Sequence, residues 1–434
     1  MSAESADLGS QHTPLWRGGW QQGLRYGGLG LPLAFVALPL YVVLPPYYAR
    51  EFGVALASLG ALLLFTRLLD AVADPFIGRW ADTLLGRSAA LAWSVTAGAA
   101  LLLALGFVLL FFPVQAVRGS TSMVLLWCAA CLVLTYLSFS VVTVVHQSWG
   151  ARLGGDGAQR ASIVGWREGL ALVGVLLASV LSAQAGMWVT ALIFALTLAC
   201  GMALLWFAPR PLAASATGGK QMSMRLPFQT PAFRRLLAVY LVNGTASAIP
   251  ATLVLFFIAD RLQSPQHEAL FLASYFAAAG IAVPLWVRAV KTWGLSRSWL
   301  LGMGLSVAVF VWASALGTGD VVGFTAVCVL SGLALGADLT LPGALLAGVI
   351  QRTGHGGQAE GAYFGWWNFA TKLNLALAAG LALPLLQWWG YTPGDQSAAA
   401  LQALTWAYCL LPCALKLLAA ALLWGYWIKP RTPE

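Results

Sequence analysis

Within residues 65–82, FTRLLDAVADPFIGRWAD, one guanidinium and two carboxylates stand close together: Arg67, Asp70 and Asp74. At about 100° per helical residue the three fall within about 60° of one another, so they form one stripe while Leu68, Leu69 and Val72 point elsewhere. Such a stripe can be an internal salt bridge, a cation site or a proton relay. A salt bridge needs one acid for one base, and this stripe has an acid to spare. Adjacent carboxylates repel unless a proton or cation is shared between them. Hard oxygen ligands in apolar surroundings suit Na⁺ or H⁺, so coupling-ion chemistry at Asp70 and Asp74 is the expectation. A structural network completed by bases from other helices is the alternative.

The surroundings make the stripe unusual. Of 434 residues, 60% are hydrophobic and 9% charged, against about 25% charged in soluble domains; mean hydropathy is +0.79. A charged side chain at the bilayer centre costs roughly 2.5–3.5 kcal/mol on insertion scales. The chain reads as a polytopic membrane protein whose partners are the lipid bilayer and a small-molecule substrate. The net charge of +9 is spread over short loops, which argues for membrane orientation and against nucleic-acid binding. The cysteines, including Cys128 and Cys131 of a lone CxxC, lie in apolar runs. They read as inert buried thiols, so no cofactor and no metal beyond Na⁺ at Asp70/Asp74 is expected. The polar N-terminus carries Glu4 and Asp7 and lacks the basic-then-apolar order of a cleaved signal.

Apolar runs of spanning length fall near 27–49, 56–78, 88–113, 122–148, 162–183 and 186–208, then near 233–259, 268–288, 298–317, 320–349, 360–387 and 399–427. The predicted organisation is a cytoplasmic tail (1–26), a six-helix bundle (27–208), a cytoplasmic central loop (209–232), a second bundle (233–428) and a cytoplasmic tail (429–434). One side collects Arg17, Arg25, Arg79, Arg87, Arg152, Arg160, Arg210, Lys220, Arg225, Arg234, Arg235, Arg288, Lys291, Arg297, Arg352, Lys429 and Arg431; the other has Arg50, Arg118 and Arg261. That asymmetry predicts both termini in the cytoplasm and residence in the inner membrane. Four bases remain inside spans: Arg67, Arg167, Lys372 and Lys416.

Two six-helix halves joined by a basic cytoplasmic loop are the architecture of a major facilitator, an all-α fold of twelve transmembrane helices. A faint repeat supports duplication: GRWADTLLGRS follows Pro75 and LWVRAVKTWGLSRS follows Pro284. The first copy resembles the facilitator loop signature through Gly78, Asp82, Gly86 and Arg87, with one residue more than usual before Gly86. Gly78, Asp82 and Arg87 are thus expected in a cytoplasmic gating loop. The second-half counterpart FAAAGIAVPLW carries no charge; a fold-stabilising device belongs in both copies, so the asymmetry favours function.

The run Arg67, Asp70, Asp74, Pro75, Gly78 resembles the signature of the glycoside–pentoside–hexuronide:cation symporters, of which animal lysolipid symporters are distant relatives. GDGAQRASIVGWREG (Arg160, Arg167), EGAYFGWWNFATK (Glu360, Lys372) and GADLTLPGALLAGVI (Asp338) extend the similarity over most of the chain. The resemblance implies cation ligation by Asp70 and Asp74, with Ser140 and Thr143 as hydroxyl candidates. Arg67, Arg167 and Lys372 become charge partners or gates, and Asp338 is expected to pair with Lys372.

The sugar transporters of that family grip their substrate through one acid on the first helix and one on the fourth. Here Ala34 and Thr143 occupy those positions, with Gln147 at an aromatic one. Unpaired buried polar groups cost more than they contribute, so a less polar, amphipathic or anionic substrate is at least as well served. Tyr41, Gln147 and Trp367 are the cavity candidates. Lys416, on a helix peripheral in this fold, reads as structural or snorkelling. No nucleophile–base–acid set and no phosphate-cradling loop follows a strand, so no enzyme is expected. The reading is a symporter driven by Na⁺ or H⁺ and functional as a monomer. A proton-driven exporter, a lysolipid-type symporter, a channel and a non-transporting receptor are the rival readings.

Overall fold

A computed structural model describes residues 15–211 and 223–429. The remaining parts of the predicted tails and central loop, Lys220 and Arg431 among them, lie outside the described residues. The spans are α1 (Gly30–Phe52), α2 (Leu56–Arg87), α3 (Ala89–Phe111), α4 (Thr121–Ala151), α5 (Gly157–Gln184) and α6 (Gly186–Trp206). The second half holds α7 (Pro231–Phe256), α8 (268–293), α9 (295–313), α10 (Val321–Arg352), α11 (Glu360–Trp388) and α12 (Ala398–Ile428). Among the described residues, ten helical segments are apolar and long enough to cross a membrane. The count reaches twelve for two physical reasons. The segment Pro265–Ala313 is 49 residues long and is broken at Gly294, whose φ of 75° favours a residue without Cβ. α2 carries too many charges to pass as an apolar span, although its 32 residues make a helix of about 48 Å against a hydrocarbon core of about 30 Å.

The stretch expected as a gating loop is helical. α2 continues past Pro75 and through Gly78 and Asp82 to Arg87. Ala81, Leu84 and Leu85 recur on one face and are all but fully buried. Helix starts follow local chemistry. Asp156 and Gln159 form a reciprocal capping box at α5, each side chain accepting from the other's backbone N–H at 2.8 Å. Ser88 accepts from Leu91 N–H at 3.0 Å to start α3.

Each half has its own apolar core, around Phe35, Phe107 and Phe194 in the first and Phe257, Phe324 and Tyr408 in the second. A third cluster belongs to both: Ala151, Ala161 and Val164 pack with Leu345, Tyr363 and Phe364. The halves meet where α2 and α4 lie against α11 and where α5 lies against α8 and α10. Glycines permit the closest approach. A Cβ on Gly78 would stand 2.1 Å from Gly361 O, and one on Gly365 would stand 2.5 Å from Asp74 O. The closest approaches therefore sit at the Asp82 end of α2.

Candidate functional site

Three helices from the two halves build a polar centre at mid-depth. α2 presents Asp70 and Asp74 one turn apart, α4 presents Ser140, and α11 sends Lys372 across from the other half. The Lys372 ammonium lies 2.7 Å from Asp70 Oδ2 and 2.8 Å from Asp74 Oδ2. It also donates to Ser140 Oγ at 2.9 Å, and Ser140 donates to Asp70 Oδ1 at 2.7 Å. The contact with Asp74 is ion pairing alone, without hydrogen-bond geometry at Oδ2. The carboxylates are deeply buried, with side chains 6% and 0% exposed against 24% for Lys372. Lys372 thus stands as the counter-charge between the two carboxylates.

The centre is not fully satisfied. Asp74 Oδ1 is buried without a hydrogen-bond partner, and so is Thr143 Oγ1. α2 and α4 each follow an odd-numbered span and so run in the same direction; Thr143 follows Ser140 along α4 as Asp74 follows Asp70 along α2. The two bare oxygens therefore lie at similar depth. A proton on Asp74 would satisfy its bare Oδ1.

The other predicted charge partners are elsewhere. Arg67 makes no ion pair with Asp70 or Asp74; its guanidinium stacks 4.1 Å over the Tyr41 ring. Arg167 is bound by its neighbour Glu168, at 2.6 Å from Nη2 and 2.9 Å from Nε, and does not reach the acids of α2. Asp338 pairs with Lys416 at 2.6 Å and not with Lys372. Its oxygens also accept from Asn243 (3.0 Å), Trp299 (2.9 Å) and Ser247 (3.1 Å), so this buried cluster is complete within the second half. Lys416 is 4% exposed, so it neither snorkels nor reaches lipid headgroups. Asn243 and Ser247, four apart in an otherwise apolar span, are the sequence signal for this cluster.

Of the cavity candidates, Tyr41 is 44% exposed in a π-turn (Pro39–Val43) that widens α1. Trp367 is core: it is buried and stacks on Tyr240 at 3.8 Å between α7 and α11. Gln147 lines a narrow recess at the closed end with Tyr26, Arg160 and Arg167.

At that closed end a second device joins the halves. Asp82 accepts from the backbone N–H groups of Gly361 (2.7 Å) and Ala362 (2.8 Å), the first turn of α11, where the helix dipole favours an anion. Arg152, from the end of α4, pairs with Asp82 at 3.0 Å and with Glu360 at 2.9 Å. Arg87, the expected basic member, is exposed on the last residue of α2; Arg152 takes its place. Arg160 adds a second tie across the halves, donating to Gln351 Oε1 at 2.8 Å. Sequence reasoning counted Arg152 only as a loop cation. The signal was that Asp82, Arg152 and Glu360 all lie at same-side helix ends with complementary charge.

Residues 25–429 match the family described as MFS/sugar transport protein. The chain is 28% identical over 162 residues to the inner membrane symporter YicJ of Escherichia coli (strain K12); the match covers 37% of this chain and spans 33% of that relative's length. Its fold is similar to a bacterial homologue of the iron transporter ferroportin in an outward-facing state, with TM-score 0.68, 17% identity, and coverage of 94% of this chain and 98% of that one. It is equally similar to the major facilitator transporter FucP in the outward conformation, with TM-score 0.68, 13% identity, and coverage of 93% and 99%.

Proposed function

The chain belongs to the MFS/sugar transport protein family, and from that premise we propose that it is a cation-coupled secondary transporter carrying a small organic solute by alternating access. The observation that carries this reading is the Lys372 ammonium seated on Asp70, Asp74 and Ser140 across the boundary between the halves. A coupling cation, Na⁺ or H⁺, competes with that tethered ammonium for the same oxygens. Binding of the cation releases Lys372 and with it one tie between the halves. The Asp82–Arg152–Glu360 cluster then governs whether the closed end opens. The chain is a monomer in the inner membrane. By the positive-inside asymmetry its closed end and both termini are cytoplasmic, so the conformation is outward-facing.

Asp70→Asn and Asp74→Asn test this. Wild-type protein in detergent gains thermal stability with Na⁺ or with acid, and each variant folds but loses that response. If both variants keep the wild-type response, the coupling reading is wrong. A proton-driven exporter is favoured by one feature, the bare Asp74 Oδ1, which a single proton would occupy. Uptake into vesicles under opposed Na⁺ and pH gradients separates the two.

A further inference from the structure

We propose that the transported solute is a small organic anion whose charged group is held by Arg67; this substrate class rests on the cation-coupled reading above and extends it. Arg67 stands one turn before Asp70 on the same face of α2, at membrane depth, and its side chain is exposed. Among the described residues no carboxylate lies within ion-pair distance of it, because Asp70 and Asp74 are both engaged by Lys372. What it has is the face of Tyr41, 4.1 Å away. Contact with the ring face leaves N–H donors of the guanidinium available at its edge. A cation at membrane depth without an acid faces a cavity and not lipid. The charged groups nearest Tyr41 are Arg67, Asp70, Lys372 and Asp74, so the Arg67–Tyr41 pair stands beside the centre that joins the halves.

A second observation comes from another helix. Tyr136 on α4 is 3% exposed, and its hydroxyl is buried without a hydrogen-bond partner. Arg67 is among its neighbours. A guanidinium beside a buried tyrosine hydroxyl whose own O–H has no acceptor is a donor set for a carboxylate, sulfonate or phosphate. Tyr41 supplies an apolar surface for the rest of the solute.

Charge balance then explains why solute and cation travel together. Arg67 and Lys372 against Asp70 and Asp74 sum to zero, so the empty centre is neutral. An anion alone makes it −1, a cation alone +1, and both together restore zero. Rocking a charged centre past hydrocarbon is disfavoured, so the empty and doubly loaded forms are the ones that cross. Lys372, 24% exposed, can swing toward an anion on Arg67 and uncover the carboxylates for the cation.

The test uses purified full-length protein and thermal unfolding, in sodium and in choline chloride of equal ionic strength. The probes are 2-naphthoate, octanoate and hexyl phosphate, with naphthamide, octanamide and hexanol as neutral counterparts. At least one anion stabilises the protein, its counterpart does not, and sodium or acid tightens its binding. Arg67→Gln weakens that anion roughly 10–100-fold, as loss of hydrogen bonds to a charged group does; Arg67→Lys recovers part of it. Tyr136→Phe removes only the hydroxyl and weakens it by about 3–10-fold, so the proposal stays testable if Arg67→Gln fails to fold. Stabilisation by neutral counterparts equal to that by anions overturns the proposal. So does silence of all three anions, or unchanged anion binding in Arg67→Gln. Failure of the coupling reading looks different: anion selectivity persists, and neither sodium nor acid affects it.

Discussion

Replacing Lys372 with methionine removes the tethered cation and leaves its length. The size of the effect follows from burial. Exposed ion pairs contribute about 0.2–1 kcal/mol and breaking a buried one costs about 3–5 kcal/mol. Lys372 lies between these limits, since its side chain is 24% exposed while those of Asp70 and Asp74 are 6% and 0% exposed. Taking about 1–1.5 kcal/mol for each of its two carboxylate contacts gives about 2–3 kcal/mol that an entering cation must overcome. At about 1.4 kcal/mol per decade, Lys372→Met binds its coupling cation roughly 30–150-fold more tightly than wild type. Without that cation it is less stable, because two buried carboxylates are left facing each other. The assay is unfolding temperature against Na⁺ at fixed pH, and against pH at fixed Na⁺, in both proteins. If the midpoints for Na⁺ and for acid both stay within about threefold of wild type, a shift of under about 0.7 kcal/mol, the ammonium is not a stand-in for the coupling cation.

Two further outcomes follow from the geometry. Gly78→Leu places a side chain where even a Cβ would meet Gly361 O at 2.1 Å, and Asp82→Asn removes the charge that binds Arg152. Both shift the population toward opening at that end, the latter roughly 10-fold or more for the loss of about 1.5–3 kcal/mol of charge-assisted bonding; spin-label distances between the ends of α2 and α11 report it, and unchanged distances contradict it. Lys416→Met strands the Asp338 carboxylate and costs about 3–5 kcal/mol, whereas the double variant with Asp338→Asn regains most of that; equal losses in single and double variants, measured by denaturant unfolding, would show that the pair is not what the cluster depends on.

The spans were legible because membrane depth imposes a long apolar run, and only the acid-rich α2 and the break at Gly294 disturb that rule. Asp70 and Asp74 were legible because helical periodicity fixes the direction of a side chain on its own helix. Partner choice was not. Nothing in the spacing of Lys372 or Arg167 says which of them crosses to α2, or that Arg67 on α2 itself turns to Tyr41, since that depends on how far each base stands from the crossing of α2 and α11. Asp338 shows the same limit: its base lies on α12, which is remote in sequence and was expected to face lipid. The gating segment was misjudged for a local reason. Resemblance to a loop signature suggested a loop, while Ala81, Leu84 and Leu85 kept a buried helical face.

The receiving side of the Asp82 contact is made largely of main chain. Two of its three partners are the amides of Gly361 and Ala362, and the N–H at 362 is retained with any side chain except proline's. Position 361 is restricted by space alone, since its Cβ would meet Gly78 O at 2.1 Å. The latch is therefore genetically one-sided. Its strength can drift through Asp82, Arg152 and Glu360, while the two amides that Asp82 itself holds have no side chain to lose. Second-site revertants of an Asp82 lesion should accordingly arise by bringing a new acid to the start of α11, and not by remodelling the helix that receives it.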